Sequence, residues 1–235
     1  MVDRFETPIY TVAEAARYLR VPDSTFRAWA AGYRRRSQGR PEVFGEPVIA
    51  TVAPAQGRGP VVPFVGLAEG LVLAALRNSG VPLQRIRPAL ARLASEFGVA
   101  HALASRRLYS DGAEVLFDYA DASDPDEARA LRSLVVVRNG QRVFNDVVAA
   151  YLRRVEFGDD GYPTLIELPG YAVAKVVVDP ARGFGQPIFR RGGARVEDAL
   201  SMFRAGESLE TVAEEYRISV PELEDVVRIA TLLAA

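Results

Sequence analysis

The chain has 235 residues, of which 49% are hydrophobic and 25% charged, and its formal net charge is −1. It contains no cysteine, which excludes disulfides and thiolate metal sites. No apolar run reaches the roughly 20 residues of a membrane span, and Met1–Thr7 lacks a secretory signal, so we expect a cytoplasmic protein. Residues 1–40 carry eight arginines against four acids, whereas residues 206–235 carry seven acids against two arginines. The two ends therefore suit different kinds of partner.

A helix-turn-helix is predicted near the N-terminus. Thr11 followed by Glu14 is a capping box that starts one helix, and Pro22 opens a second helix over residues 23–31. In this layout the outer face of the second helix belongs in the major groove of DNA. Small polar residues and an arginine suit base edges and phosphates, and this face carries Ser24, Thr25 and Arg27.

A basic cluster and a β-ribbon are predicted to follow the second helix. The cluster consists of Arg34, Arg35 and Arg36, and we expect it to contact DNA phosphates; the alternative is a solvated loop. Glycines and prolines between Gly32 and Pro63 surround two short β-like runs, at 43–44 and 48–52. These runs predict a wing whose tip lies at 56–60.

Two more helices are predicted after the wing. Residues 64–69 lead into an apolar helix that ends at Asn78, and another helix starts within residues 79–87 and carries a heptad-like apolar seam up to Phe97. The second begins with the motif Gly80-Val81-Pro82-Leu83-x-x-Ile86-Arg87. A helix-turn-helix, a wing, a helix and this motif together resemble the DNA-binding domain of MerR-type regulators. The resemblance implies that the helix-turn-helix and the wing bind DNA in a dimer. Within it, Thr25 and Arg27 match recognition-helix positions.

The middle of the chain is predicted to form a small antiparallel sheet covered by helices. Asp111-Gly112 predicts a hairpin between residues 106 and 118, and Asn139-Gly140 predicts another between residues 133 and 144. Further strands are predicted at 165–168 and 171–178.

No motif for catalysis or metal binding is present. His101, the only histidine, has no histidine or cysteine partner at ligand spacing, so we predict a structural role for it. The acids between Asp118 and Asp126 lack the glycine and the final glutamate of a calcium loop. A phosphate-binding loop, a nucleophile elbow and a zinc helix are also missing. We therefore expect a protein that is not an enzyme and needs no cofactor.

Three apolar-periodic segments near the C-terminus predict a second unit with a helix-turn-helix layout. Ser208 is predicted to cap its middle helix, and Ser219 with Glu222 forms a capping box for the last one. The acidic excess lies in this unit and would repel DNA phosphates. We interpret the unit as a protein-binding or dimerising module; the alternative for the acids is a solvated face.

A second resemblance lies in this C-terminal region. The pattern Gly185-Gln186-Pro187-Ile188, followed by Val196-Glu197-Asp198-Ala199-Leu200 and Ala205-Gly206-Glu207-Ser208-Leu209, resembles the helical domain of unknown function 433. That domain occurs in bacterial antitoxins encoded beside PIN-like ribonuclease toxins, and its longer members resemble VapB-type antitoxins. At residues 190–194 the family usually has Gly-Thr-Arg, and this chain departs from it.

These patterns predict an α+β, mainly helical fold in three regions. They are a MerR-like winged helix-turn-helix domain (1–98), a small α+β middle region (99–178) and a C-terminal three-helix antitoxin domain (179–235). The resemblance implies an antitoxin of a type II toxin–antitoxin system, which neutralises a PIN-like ribonuclease toxin. It also implies a homodimer that binds operator DNA and represses its own operon.

The candidate toxin-binding residues are Arg190, Arg191 and Arg195, on a glycine-containing loop beside the C-terminal helices. PIN-type active sites hold clustered acids, and these cations could enter such a site; the alternative is a solvated turn. One rival hypothesis is a free-standing MerR-like transcription regulator with a ligand-sensing middle region. Another is an interaction adaptor that binds no DNA.

Overall fold

The computed structural model describes residues 2–35, 43–54, 59–81, 83–121, 123–138 and 141–234. The chain forms two compact units, one of residues 4–163 and the other of residues 164 onward with Val2 and Asp3. Helices dominate the described residues and the strand pairs are antiparallel, so the predicted α+β, mainly helical fold is confirmed. The domain boundaries at 98 and 178 remain predictions.

The first unit contains the predicted helix-turn-helix. After strand β1 (Pro8–Tyr10), helices α1 (Val12–Leu19) and α2 (Asp23–Ala31) pack against each other. The Thr11 side chain accepts a hydrogen bond from the Glu14 N–H, and the Thr11 N–H donates to Glu14 Oε2 at 2.8 Å. This reciprocal pair satisfies two donors that would otherwise lack a partner at the helix end, and it confirms the predicted capping box.

The predicted wing exists, and the predicted run at 43–44 lies in one of its strands, but the run at 48–52 does not. Strand β2 (Tyr33–Arg35) pairs with strand β3 (Val43–Gly45), in a register that places Arg34 opposite Phe44. The run 48–52 forms no strand, so that prediction is wrong. Three of the five residues of the predicted tip, 56–58, and Arg36 lie outside the described residues.

The backbone donors of residues 48–52 explain why this run is not a strand. The Val48 N–H donates to the Trp29 carbonyl at 2.8 Å, and the Ala50 N–H donates to the Glu69 carboxylate at 2.5 Å. A strand needs those donors for a neighbouring strand. Here they attach the segment to the end of α2 and to a buried carboxylate instead.

Helix α3 (Phe64–Asn78) is the buried centre of the first unit, and it follows strand β4 (Val62–Pro63), which pairs with β1. Two glycines one turn apart allow other segments to approach this helix closely. A Cβ atom at Gly66 would lie 2.3 Å from the Ala50 carbonyl oxygen, and one at Gly70 would lie 2.7 Å from the Phe26 ring. A side chain at Gly66 would push away the 48–52 segment, and one at Gly70 would push away the helix-turn-helix.

The rest of the first unit is more helical than predicted. Its elements are α4 (Leu83–Phe97), a 3₁₀ turn (Ala102–Ala104), α5 (Arg106–Asp121), α6 (Pro125–Leu134), β5 (Val135–Arg138), β6 (Gln141–Phe144), α7 (Asp146–Leu152) and β7 (Val155–Phe157). The hairpin formed by β5 and β6 confirms the prediction at Asn139-Gly140. Asn145 caps α7 by accepting a hydrogen bond from the Val148 N–H at 3.0 Å.

The hairpin predicted at Asp111-Gly112 is wrong, because both residues lie inside α5. The buried residues of this helix include Leu108, Gly112 and Leu116, which are spaced at helical intervals. A Cβ atom at Gly112 would lie 2.9 Å from Leu108 and 3.2 Å from the Phe144 ring. The glycine therefore serves close packing against the β5–β6 hairpin and does not form a turn.

His101 is half-buried in the first unit and pairs with a buried acid. Its Nδ1 atom is 3.2 Å from Oε1 of Glu69, and the Glu69 side chain is only 7% exposed. Its ring also packs against Phe5, with centroids 5.6 Å apart. The hydrogen bond and the charge of Glu69 raise the pKa of His101, with a contribution from Glu6, although partial burial opposes them.

We expect His101→Gln to remove a pH dependence of stability. A histidine with a raised pKa in the folded state stabilises the fold fully below its unfolded pKa of about 6.5, and this contribution is lost as pH rises through the folded value. The free energy of unfolding of the unmodified chain should therefore fall across neutral pH. Chemical unfolding at a series of pH values measures this slope. An identical slope in His101→Gln would contradict the assignment, since the chain has no other histidine.

The second unit contains a small sheet and three helices. Strand β8 (Pro163–Glu167) pairs with β9 (Val176–Val178), which pairs with β10 (Ile188–Phe189). Helices α8 (Val196–Arg204), α9 (Leu209–Tyr216) and α10 (Val220–Ala234) follow, so the predicted three-helix unit is present. The predicted caps are also present, because Ser208 accepts from the Thr211 N–H and Ser219 from the Glu222 N–H.

Asp225 holds the second unit together from inside α10. Its carboxylate accepts hydrogen bonds from the N–H groups of Val173 and Ala174 at 2.7 and 3.0 Å, and from Arg228 at 2.5 Å. Burial alone would raise its pKa, but the hydrogen bonds outweigh burial, and the pKa of Asp225 lies below its usual value. Because a side chain takes these donors, the strand predicted at 171–178 shortens to β9.

In the described part of the chain, no helix combines the length and the apolar character that crossing a membrane requires.

Candidate nucleic-acid interface and partner-binding loop

The outer face of α2 is open to solvent. Ser24 and Arg27 are exposed and Thr25 is half-buried, while Phe26 holds the opposite face in the core. Arg27 donates to Asp23 Oδ2 at 3.0 Å, although its own side chain remains 63% exposed. Such a surface ion pair contributes little free energy. The Arg27 guanidinium can therefore exchange Asp23 for a DNA phosphate or a base edge.

The wing places a cation and an aromatic ring beside each other. Arg34 is exposed, and its guanidinium carbon lies 5.6 Å from the centroid of the Phe44 ring, which is itself 58% exposed. Arg35 shares strand β2, and its backbone pairs with Val43. The basic cluster thus begins on a wing strand and not in a loop. Arg36 lies outside the described residues.

A groove of about 350 Å³ lies between α2, the wing and the start of α4; residues that line it include Ser24, Thr25, Ala28, Tyr33, Leu83 and Arg87. The structure therefore brings two predicted DNA-binding residues together with an arginine that sequence reasoning missed. Arg87 donates to the Glu46 carbonyl at 2.5 Å, and its guanidinium carbon lies 5.6 Å from the Tyr33 ring. It connects α4 to strand β2 and to the residue that follows strand β3. In the sequence, Arg87 could have been identified from its position at the end of the Gly-Val-Pro-Leu-x-x-Ile-Arg motif.

The three predicted toxin-binding arginines are not equivalent. Arg190 and Arg191 are exposed on the tight turn that follows β10, which a hydrogen bond from the Gly193 N–H to the Phe189 carbonyl closes at 3.1 Å. Arg195 instead makes two hydrogen bonds to the Asp198 carboxylate, at 2.9 and 2.6 Å. These hydrogen bonds and the charge of Asp198 raise the pKa of Arg195. The charge of Arg195 is therefore partly neutralised, and all three arginines are exposed.

The surface of α9 and α10 is acidic, but not every acid contributes to it. The exposed acids of this region are Glu207, Glu210, Glu214, Glu215 and Glu224. Asp225, by contrast, is buried and has a structural role. A helical face of this charge repels DNA phosphates. In the described ranges, His, Asp and Glu side chains form no group of three or more that could hold a metal ion.

Two family models match the chain, one at each end. The model described as "Putative DNA-binding HTH domain" matches residues 8–90, which span the helix-turn-helix, the wing and the start of α4. The model described as "Protein of unknown function (DUF433)" matches residues 176–228, in the second unit. The fold and these matches define a helix-turn-helix DNA-binding protein with a C-terminal helical unit of the unknown-function-433 type.

Two curated proteins and one solved structure, all from Mycobacterium tuberculosis, are similar over almost the whole length. "Putative antitoxin VapB45" of strain ATCC 25618 / H37Rv is 47% identical over 225 residues, which cover 94% of this chain and 93% of that protein. The "Uncharacterized protein Rv2308" of that strain is 29% identical over 250 residues, covering 100% and 96% of the two chains. The crystal structure of Rv2018 superposes with a TM-score of 0.84 at 42% identity, covering 95% of this chain and 99% of that one. The chain therefore belongs to the family of the putative antitoxin VapB45.

Proposed function

We propose that this chain is the antitoxin of a two-gene toxin–antitoxin system. In this proposal it binds and neutralises a PIN-like ribonuclease toxin, and it represses its own operon by binding operator DNA as a homodimer. The observation that carries the proposal is the identity of 47% with the putative antitoxin VapB45 over 94% of the chain. The two ends of the molecule support it, because a DNA-binding motif at one end and an acidic helical unit at the other suit two different partners.

The DNA-binding role rests on the first unit. Ser24, Thr25 and Arg27 lie on the outer face of α2 and would enter the major groove. Arg34 and Arg35 lie on the adjacent wing strand, from which they would contact backbone phosphates. A dimer would place two such faces on the two half-sites of a palindromic operator.

The neutralising role rests on the second unit. PIN-type ribonucleases use clustered carboxylates that bind a divalent cation, and a cationic side chain can compete for such a site. Arg190 and Arg191 stand on a turn whose backbone is closed by hydrogen bonds, so little backbone entropy is lost on docking and the main entropic cost is that of ordering the two side chains. Arg195, already paired with Asp198, contributes less in this proposal.

We expect the double change of Arg190 and Arg191 to Ala to weaken inhibition of the toxin. Arginines at the centre of an interface typically cost about 2 kcal/mol or more when truncated, which corresponds to roughly a 30-fold loss of affinity. The measurement is the concentration of antitoxin that halves RNA cleavage. The matched control is Arg204→Ala, which removes an exposed cation on α8 that pairs with Glu197. Inhibition that is unchanged in the double variant would exclude these arginines while leaving the antitoxin proposal intact.

The proposal as a whole is tested by co-expressing the chain with the product of the adjacent gene. A stable complex without ribonuclease activity, which binds the promoter of its own operon, is the expected result. A chain that purifies alone and binds promoter DNA in response to a small molecule would instead favour the transcription regulator. A chain with no salt-dependent DNA binding would contradict autorepression.

A further inference from the structure

Phe184 is an exposed aromatic residue in a strained backbone conformation. Its side chain is 80% exposed, and its backbone is left-handed, with φ 53° and ψ 32°. Bulky L-residues adopt this conformation only at a free-energy cost, and such strain persists where the surrounding structure imposes it. Gly183 and Gly185 on either side also have positive φ angles, of 55° and 74°. Three consecutive left-handed residues push the ring outward.

The loop that carries Phe184 is rigidly held. The Asp179 carboxylate accepts hydrogen bonds from the Ala181 N–H at 2.8 Å and from Arg182 Nε at 2.7 Å. The Gly185 N–H donates to the Arg182 carbonyl at 3.0 Å, and the Gln186 N–H to the Gly183 carbonyl at 2.9 Å. These bonds join both sides of the phenylalanine, so its backbone conformation is fixed.

The loop also lies directly on the core of the second unit. Ile188 is fully buried, and a Cβ atom at Gly183 would lie 2.9 Å from its Cγ2 atom. No side chain fits at residue 183 without a shift, so packing as well as hydrogen bonding fixes the loop. A rigid, solvent-exposed aromatic ring binds a partner with little loss of entropy.

The segment that carries Phe184 has a net positive charge. Residues 179–195 contain four arginines and one acid, although Arg182 pairs with Asp179 and Arg195 pairs with Asp198. The exposed Arg190–Arg191 turn belongs to the same segment. Aromatic residues and arginines are the residue types that dominate binding energy at protein interfaces. A partner surface that complements this segment would have an apolar pocket for the ring and carboxylates nearby for the arginines.

We propose that Phe184 is the aromatic anchor through which the second unit docks into an apolar pocket beside the acidic active site of the ribonuclease toxin. This inference rests on the proposed function and adds the residue that provides the docking energy. A second copy of the chain is a poorer occupant. A symmetric contact would bring two cationic loops together, and contact of the loop with the acidic helices of another copy would be head-to-tail, which forms rings or open chains.

The test compares Phe184→Gly with the unmodified full-length chain, using the purified product of the adjacent gene as the probe. Glycine removes the ring and relieves the left-handed strain, so its thermal unfolding midpoint should be equal to or above that of the unmodified chain. Its dissociation constant should rise by about 30-fold or more. Phe184→Tyr, which keeps the ring, should retain binding. Leu232→Ala removes a side chain that is 67% exposed on α10, and it is the matched control.

The outcomes separate the two levels of inference. If the unmodified chain binds the toxin and Phe184→Gly binds equally well, the anchor is wrong and the antitoxin proposal stands. If the unmodified chain does not bind the toxin, both are wrong. Equal losses in Leu232→Ala and Phe184→Gly would also overturn the anchor, since a general apolar effect would explain them. The mass of the unmodified chain is also measured at increasing concentration without toxin. If the chain self-associates and Phe184→Gly abolishes that self-association, the ring contacts a second copy of the chain, which would contradict the choice of partner.

Discussion

Changing Arg34, Arg35 and Arg36 together to Ala is expected to weaken operator binding by on the order of 10²- to 10³-fold. A hydrogen bond typically contributes about 0.5 to 1.5 kcal/mol net, and at about 1 to 1.5 kcal/mol each the three exposed phosphate contacts add to this effect. Fewer counterions are released as well, so the slope of log affinity against log salt should become shallower by about 0.9 for each phosphate that is no longer neutralised. Fluorescence anisotropy with an operator duplex at several salt concentrations measures both quantities.

A matched triple variant controls for the change in net charge. Arg92, Arg129 and Arg132 are exposed arginines on α4 and α6, outside the helix-turn-helix and the wing. Their replacement by Ala should leave the salt slope close to that of the unmodified chain. If both triple variants flatten the slope equally, the wing makes no specific phosphate contact and the DNA-binding face lies elsewhere.

Arg27→Ala should instead reduce the preference for operator over unrelated DNA, because its position on α2 suits base edges.

Changing Asp225 to Ala is expected to destabilise the second unit by about 2 to 4 kcal/mol. The carboxylate accepts hydrogen bonds from the N–H groups of Val173 and Ala174, and its removal leaves donors unsatisfied at a cost of about 1 to 3 kcal/mol each. Asp225→Asn keeps one acceptor oxygen and should lose less. The measurement is hydrogen exchange of the Ala174 amide, together with the free energy of unfolding.

The neighbouring acid provides the control for Asp225. Glu224 is exposed on the same helix, and Glu224→Gln should leave stability nearly unchanged.

The contribution of Asp225 to stability is expected to depend on pH. Because the pKa of Asp225 is lowered in the folded state, its contribution is present above the unfolded value of about 3.9 and is lost as pH falls through the folded value. Equal stability of Asp225→Ala and Glu224→Gln at neutral pH would show that the buried hydrogen bonds contribute nothing.

Local patterns were sufficient for the helices at both ends. Thr11 with Glu14, and Ser219 with Glu222, identified helix starts, because a capping box satisfies backbone donors within four consecutive residues. The residues on the outer face of α2 were likewise predicted from the spacing of its apolar residues along the helix. These interactions join residues that are close in sequence, so sequence alone contains them.

The errors arose where a backbone or a glycine interacts with a distant part of the chain. Gly112 signalled a turn in sequence, but it lies within α5 because the Phe144 ring packs against it. The run 48–52 had the composition of a strand, yet its donors are taken by Trp29 and by the buried Glu69. In each case the partner lies many residues away, and local propensity cannot include it.

The sequence by itself determined that the two ends of this protein differ: a helix-turn-helix with a basic cluster lies at the N-terminal end, and a three-helix unit with an acidic face lies at the C-terminal end. It also determined the resemblance to antitoxins. Its charges and its short-range helical signals depend only on neighbouring residues. The tertiary structure decided which acids and cations are exposed to a partner. It buried Asp225, paired Arg195 with Asp198, and brought Arg87 into contact with Tyr33 and Glu46 of the wing region. It also revealed the strained, exposed ring of Phe184, because strain and exposure depend on contacts that only the folded chain creates.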